Sequence, residues 1–379
     1  MAGFVTLIGS GETSAGMVRV HKELLAKLSE SPRVVFLDTP AGFEMGLEAI
    51  QERFMTYFEH RLGLRLRLAS FRRQTDAPAS VAAALDALAE ANYILAGPGS
   101  PSYAVRQLGG SLVWEAVLQR WMNGAQLVFA SAAAIAIGRH LLPVYEIYKV
   151  GEEPAWKEGL DLLGRFGLDL AIIPHWDNTE GGTHDTSRGF IGKERFGRLR
   201  SLLPSEAVVL GIDEHTACTL DLEARRVAVR GKSGVTILRG NEEARFCRGE
   251  SFPLSALIPA VGGLRPVAAT DAQPITLIPG AEKAPGNLRA EDLPALLREL
   301  AQHSDAEMAV TLQRAALAAQ RAGNVEDRLH ATLRLLVDLR DELREAEEWK
   351  WADLIRERLA ELGIALHDTG HGTRWEEQS

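Results

Sequence analysis

A chain of 379 residues with 46% hydrophobic and 25% charged side chains is long enough for two domains, each burying its own core. Its formal net charge of −9 argues against general affinity for nucleic acid or an anionic membrane. The two cysteines, Cys218 and Cys247, offer no disulfide framework and point to a reducing compartment, so a cytoplasmic location is expected.

The first residues, Met1–Ser10, enter a strand-like apolar run with no basic leader, so no signal peptide is expected. The longest apolar stretch, Leu127–Gly138, falls well short of the ~20 residues that a membrane-spanning helix needs, and no membrane partner is expected.

In chain order the pattern predicts strands at Phe4–Ile8, Val34–Leu37, Leu64–Leu68, Tyr93–Leu95, Leu127–Ala130, Leu168–Ile173 and Val208–Ile212. Helical stretches fall between them at Val18–Leu28, Met45–Arg61, Ala79–Ala91, Leu112–Asn123 and Lys193–Leu203. Continuous apolar strands alternating with helices predict an α/β fold, a mainly parallel sheet covered on both faces. After Gly211 the short strands Cys218–Leu220, Val227–Arg230 and Val235–Leu238 read as a meander that closes the domain. The segment 266–285 is rich in Pro, Ala and Gly and is expected to be a linker between a domain at 1–265 and another at 286–379. In the last part Leu329, Leu333, Leu336 and Leu343 recur at helical spacing, which predicts an all-α bundle.

In open α/β sheets, the turns at the carboxyl ends of the strands gather functional groups. Ser131 follows the strand Leu127–Ala130 and begins a run of small residues. There its hydroxyl would stand above the sheet, with the next backbone N–H aimed at a developing oxyanion. The same position suits a serine that caps a buried alanine-rich helix, and local sequence leaves both readings open. His175, at the end of the strand before it, is the candidate base. Glu146 is a carboxylate in the apolar stretch Val144–Tyr148 and is read either as an acid that orients the histidine or as a surface group. After His175 come Asp177, Glu180, His184 and Asp185. They are read as a polar loop over the site in preference to a metal centre, whose first ligands would be His175 and Asp177; no metal and no cofactor is expected. Arg188 and Arg195 are candidates to hold a substrate carboxylate, and Gly11, Asp177 and Glu214 are further candidate substrate contacts. The turn Gly9-Ser10-Gly11 is too short for a dinucleotide fingerprint.

The order of the Gly-rich first turn, Leu37-Asp38-Thr39-Pro40-Ala41, Gly97-Pro98-Gly99, Ser131-Ala132, Pro174-His175 and Gly211-Ile212-Asp213-Glu214-His215-Thr216-Ala217 resembles the peptidase E and cyanophycinase family over about residues 1–250. The resemblance implies a flavodoxin-like sheet of the class I glutamine amidotransferase type, with serine in place of cysteine. It implies cleavage of bonds beside aspartyl groups. Position by position, it implies Ser131 as nucleophile, His175 as base, Glu146 as orienting acid, and the N–H groups of Gly99 and Ala132 as the oxyanion hole. The family pattern Gly-Xaa-Ser-Ala-Gly-Ala reads here Phe129-Ala130-Ser131-Ala132-Ala133-Ala134, with both glycines missing. Phe129, at the first glycine position, has the bulk to crowd the turn or block the cleft.

The tail resembles a different family. Leu339–Arg344, Ala352–Leu359, Leu362-Gly363-Ile364 and Asp368-Thr369 with Gly372–Trp375 are similar to the C-terminal helical region of cysteinyl-tRNA synthetase. No HIGH-like or KMSKS-like stretch and no zinc-binding cysteine set stands upstream, so aminoacylation is not expected. Residues 286–379 hold 12 Lys+Arg against 19 Asp+Glu, a net of −7, which is a poor surface for phosphate.

Together these features predict a serine-type hydrolase acting on a small peptide or amide, aspartyl-containing by resemblance. A homodimer is left open. The competing readings are a catalytically silent relative that binds a small ligand, and an RNA-associated protein whose tail engages tRNA.

Overall fold

The computed structural model describes residues 2–258 and, further on, positions 333, 336, 337, 340, 344, 349–361, 364–369 and 372–377. The chain divides into two compact units, Met1–Thr270 and Asp271–Ser379. The expected linker at 266–285 and most of the expected helical bundle lie outside the described residues.

The first unit begins with β1 (Val5–Ile8), α1 (Val18–Leu25), β2 (Val34–Leu37), α2 (Leu47–Tyr57), β3 (Leu66–Ala69) and α3 (Pro78–Ala89). It continues with β4 (Tyr93–Ala96), α4 (Pro101–Leu108), α5 (Leu112–Met122), β5 (Gln126–Ala130) and the short α6 (Ala132–Ala136). A small ribbon of β6 (His140–Leu141) and β7 (Lys157–Glu158) precedes β8 (Leu170–Ile173), α7 (Lys193–Ser201) and β9 (Val208–Ile212). The last strands are β10 (Thr216–Asp221), β11 (Arg226–Gly231), β12 (Gly234–Arg239), β13 (Glu242–Cys247) and β14 (Ser251–Pro253).

Strands β1 to β5 run parallel in one sheet of order β14-β11-β10-β1-β5-β4-β2-β3, with β10 and β11 antiparallel at one side. β1, β2, β4 and β5 are buried at every position, as expected of strands covered on both faces. Val20, Leu24, Phe54 and Phe58, from α1, α2 and the turn after it, pack over Ile8, Phe36 and Val128.

The strands β8 and β9 do not extend this sheet. They are parallel to each other and belong to a second, four-stranded sheet of order β13-β12-β9-β8. The stretch after Gly211 is therefore not one meander: β10, β11 and β14 join the main sheet, and β12 and β13 join the second. α6 packs on both β5 and β8 and so bridges the two sheets.

In the second unit, α8 (Trp349–Glu361) buries Ala352, Ile355 and Leu359, a stripe at helical spacing. After it, β15 (Ile364–Thr369) and β16 (Gly372–Glu377) pair antiparallel, and β15 packs on α8. The hairpin departs from the all-helical reading of this end of the chain. Among the described residues, no helix is long and apolar enough to cross a membrane.

Candidate active site

Three strand ends converge. Ser131 follows β5, His175 lies two residues past β8, and Glu214 lies two past β9. Ser131 has φ 50° and ψ −120°, a conformation that a side-chain-bearing residue adopts only under constraint. The constraint is visible in the backbone. Ser131 N–H donates to Ile8 C=O at 3.1 Å, and Ala133 N–H donates to Gly97 C=O at 3.2 Å. The turn is thus tied to the ends of β1 and β4, and the hydroxyl projects above the sheet.

Ser131 Oγ lies 2.9 Å from His175 Nε2. On the far side of the ring, His175 Nδ1 lies 2.9 Å from Glu214 Oε1. A carboxylate only accepts, so Nδ1 carries the proton and Nε2 is left to accept from the serine hydroxyl. The bond from His175 is the main reason the Glu214 carboxyl is held low, at about 2; partial burial opposes it, and a bond from Asn178 adds to it.

Glu214 is itself held from the turn that carries the histidine. Asp177 Oδ1 accepts the Glu214 N–H at 2.7 Å, and Asn178 Nδ2 donates to Glu214 Oε1 at 2.8 Å. Asn178 is fully buried, and its own N–H donates to the His175 carbonyl at 3.2 Å.

This geometry corrects the expectation for Glu146. That residue lies in a π-helical turn, Glu146–Val150, and accepts from Lys157 Nζ at 2.8 Å. Burial pushes its carboxyl up, and the bonds it accepts, that from Lys157 foremost, more than offset this and keep it below the usual range. The acid that meets His175 is Glu214, which the sequence pattern put among the substrate contacts. Its signal was its position: a carboxylate just past a buried strand, as Ser131 and His175 are.

The other candidates fall as follows. Asp177, though exposed, accepts the Glu214 N–H, and His175 is engaged at both ring nitrogens, so the two are not poised as first ligands of a metal. Among the described residues no three His, Cys, Asp or Glu side chains converge as a metal-ligating cluster. Arg188 is spent on Trp176: its guanidinium donates to the Trp176 carbonyl at 2.9 Å and lies 3.8 Å from the centre of the indole. Gly11 has φ 69°, and a Cβ there would strike the His215 ring, so its role is packing. Phe129 is 2% exposed and faces Trp114 of α5, with ring centroids 6.2 Å apart. It neither lines the cleft nor distorts the serine turn.

Gly99 has φ 137°, and any Cβ would collide with the Pro40 carbonyl, so only glycine brings this backbone so close. Gly99 and Ala132 both line the cleft of about 360 Å³ that contains Ser131 and His175. Among the described residues neither of their N–H groups meets an acceptor.

No family model matches the chain. A short segment is similar to cysteine–tRNA ligases: 40% identical over 57 residues to that of Pelotomaculum thermopropionicum and 47% over 47 residues to that of Thermus thermophilus. These segments are 15% and 12% of this chain, and the chain spans only 12% and 10% of those two relatives. They accord with the resemblance of the tail to the C-terminal region of cysteinyl-tRNA synthetase. Among solved structures, a peptidase from an acI-B1 actinobacterium superposes with a TM-score of 0.55 at 22% identity, over 67% of this chain and 97% of that one. A putative peptidase E from Listeria monocytogenes EGD-e aligns over 65% of this chain and 99% of its own, with a TM-score of 0.39 and 15% identity. The front unit thus shares the α/β fold of the actinobacterial peptidase, with a serine, a histidine and a glutamate in hydrogen-bonded series at the ends of its strands.

Proposed function

We propose that the front unit is a serine-type hydrolase of small peptides or amides, with Ser131 as nucleophile, His175 as general base and Glu214 as the acid that orients it. The observation that carries this reading is the unbroken series Ser131–His175–Glu214, with two contacts of 2.9 Å. The fold shared with a solved peptidase supports it.

In this mechanism His175 Nε2 takes the Ser131 hydroxyl proton as Oγ attacks the scissile carbonyl. The carbonyl oxygen gains the negative charge and turns to the N–H groups of Gly99 and Ala132. Collapse of this intermediate breaks the bond to the amine, which leaves with the proton held on His175. Water then loses a proton to His175 and attacks the acyl-serine, which releases the acid and restores the hydroxyl. Glu214 keeps the ring in the productive tautomer and offsets its positive charge.

The net charge of −7 on residues 286–379 supports a tail that packs against protein, in its own unit or on a partner, rather than one that binds tRNA.

A small fluorophosphonate tests the catalytic reading directly. The full chain is expected to label at Ser131, and Ser131→Ala and His175→Ala are expected to abolish labelling. A wild-type chain that is folded by circular dichroism and does not label would leave only a silent relative of the fold.

A further inference from the structure

We infer that the cleft takes a substrate whose group on the acyl side is aromatic or bulky aliphatic and uncharged, not acidic; the inference rests on Ser131 being the nucleophile. Two independent observations carry it. One is the distribution of charge around the cleft. Next to the Gly99 and Ala132 amides stand Pro101, Ile135 and Val144, all buried and apolar. Apart from His175, the basic side chains that line the cleft are Lys149 and His184, and both are exposed. Lys149 Nζ lies 4.7 Å from the centre of the Tyr148 ring, at the solvent side. Glu180, also exposed, adds a negative charge to the same rim. Arg188, the obvious fork for a carboxylate, is committed to Trp176. An acidic side chain drawn into the cleft would lose its water without gaining a buried partner, which is costly.

The other observation is a constrained aromatic wall. Phe190 packs on His175 with ring centroids 4.8 Å apart and on Tyr148 at 6.1 Å. Its φ is 69°, rare for a bulky residue, and Arg188 and Gly189 before it have φ of 61° and 70°. This left-handed run is hooked to the catalytic strand end: Gly189 N–H donates to His175 C=O at 3.2 Å and Arg188 N–H to Trp176 C=O at 3.0 Å. Backbone strain of this kind persists only where the surroundings impose it. Here it places an aromatic ring beside the base, continuous with Tyr148. The cleft of about 360 Å³ has room for a phenylalanyl or leucyl side chain.

The test compares N-acetyl-phenylalanine, N-acetyl-leucine and N-acetyl-aspartate thiobenzyl esters on the full chain, with fluorophosphonate labelling of Ser131 measured alongside. The phenylalanyl and leucyl esters are expected to exceed the aspartyl ester in kcat/KM by roughly tenfold or more. Phe190→Ala should reduce that ratio while Phe190→Leu keeps most of it, with circular dichroism of both variants as the check on folding. A preference for the aspartyl ester, equal rates for the three, or labelling without turnover of any of them would overturn the inference and leave the nucleophile standing. Absence of labelling would instead remove the catalytic reading on which it rests.

Discussion

Asn178 Nδ2 and His175 Nδ1 both reach the same oxygen of Glu214, Oε1, at 2.8 Å and 2.9 Å. One carboxylate oxygen therefore receives a donor from the ring it orients and another from a buried amide three residues along the same turn. The arrangement fixes the direction of the carboxylate before any substrate arrives, and it ranks the acids of the site.

Glu214→Gln is expected to slow fluorophosphonate labelling by roughly 10²- to 10⁴-fold, the range set by removing the acid of a serine triad. Glu146→Gln, which loses the ion pair with Lys157, should label within about threefold of wild type, because Glu146 does not meet His175 and a half-exposed ion pair contributes little. Equal losses in the two variants would undo the assignment of Glu214.

The pH profile of labelling separates position from fold. Glu214 is held at about 2, so it stays ionised down to low pH and takes up no proton over the rest of the profile. Without the carboxylate the protonated ring loses its compensating charge. Glu214→Gln should therefore lower the plateau of the profile. Asn178→Leu, which removes the amide donor to Glu214 together with the acceptor of the Glu180 N–H, should raise the Glu214 carboxyl and lower the plateau by about tenfold. A plateau unchanged in Asn178→Leu would make the amide merely structural.

His21 gives a stability prediction. It is fully buried between the Tyr93 hydroxyl at 2.7 Å and the Glu12 carbonyl at 2.8 Å, and burial lowers its pKa from 6.5 to about 4. Between those values the unfolded chain binds a proton that the native chain refuses. Stability should thus be intact above pH 6.5 and fall as the pH drops toward 4, by about 3 kcal/mol for this group alone. Urea melts at several pH values, compared with those of His21→Phe, would check it; the variant should show a shallower decline.

Phe129→Ala should cost about 3–5 kcal/mol, because the ring is buried against Trp114 and the substitution leaves a cavity. It should not accelerate labelling. A faster-labelling variant would mean that the ring does obstruct the nucleophile.

For the tail, the full chain should show no saturable binding of bulk tRNA at about 150 mM salt, where the Debye length is roughly 8 Å. Micromolar binding that weakens steeply with added salt would reverse the electrostatic argument.

The parallel core was legible because β1, β2, β4, β5, β8 and β9 are short, continuous apolar runs. Ser131 and His175 were legible as polar residues at their ends. The partition of those strands into two sheets was not, since β8 is as apolar as β5 and nothing local records which neighbour it pairs with. α4 was missed although its start is written in Ser100-Pro101: the Ser100 hydroxyl accepts the Tyr103 N–H at 3.2 Å, a capping arrangement hidden inside what reads as a Gly-Pro turn. Glu146 misled because a lone carboxylate among apolar residues signals that a partner exists and not which one. Lys157 lies eleven residues away across a loop, and only the fold brings it there.

The division into two sheets has a further consequence. Ser131 belongs to one slab and the His175–Glu214 pair to the other, so the reactive contact crosses a seam that is spanned by α6 and by the short links from β9 to β10 and from β11 to β12. A sliding of one slab against the other by about an ångström would part the hydroxyl from the ring while leaving both slabs folded. Reactivity at Ser131 is thus a gauge of alignment across the seam, and crowding the α6–β8 junction would disarm the nucleophile from a distance without touching it.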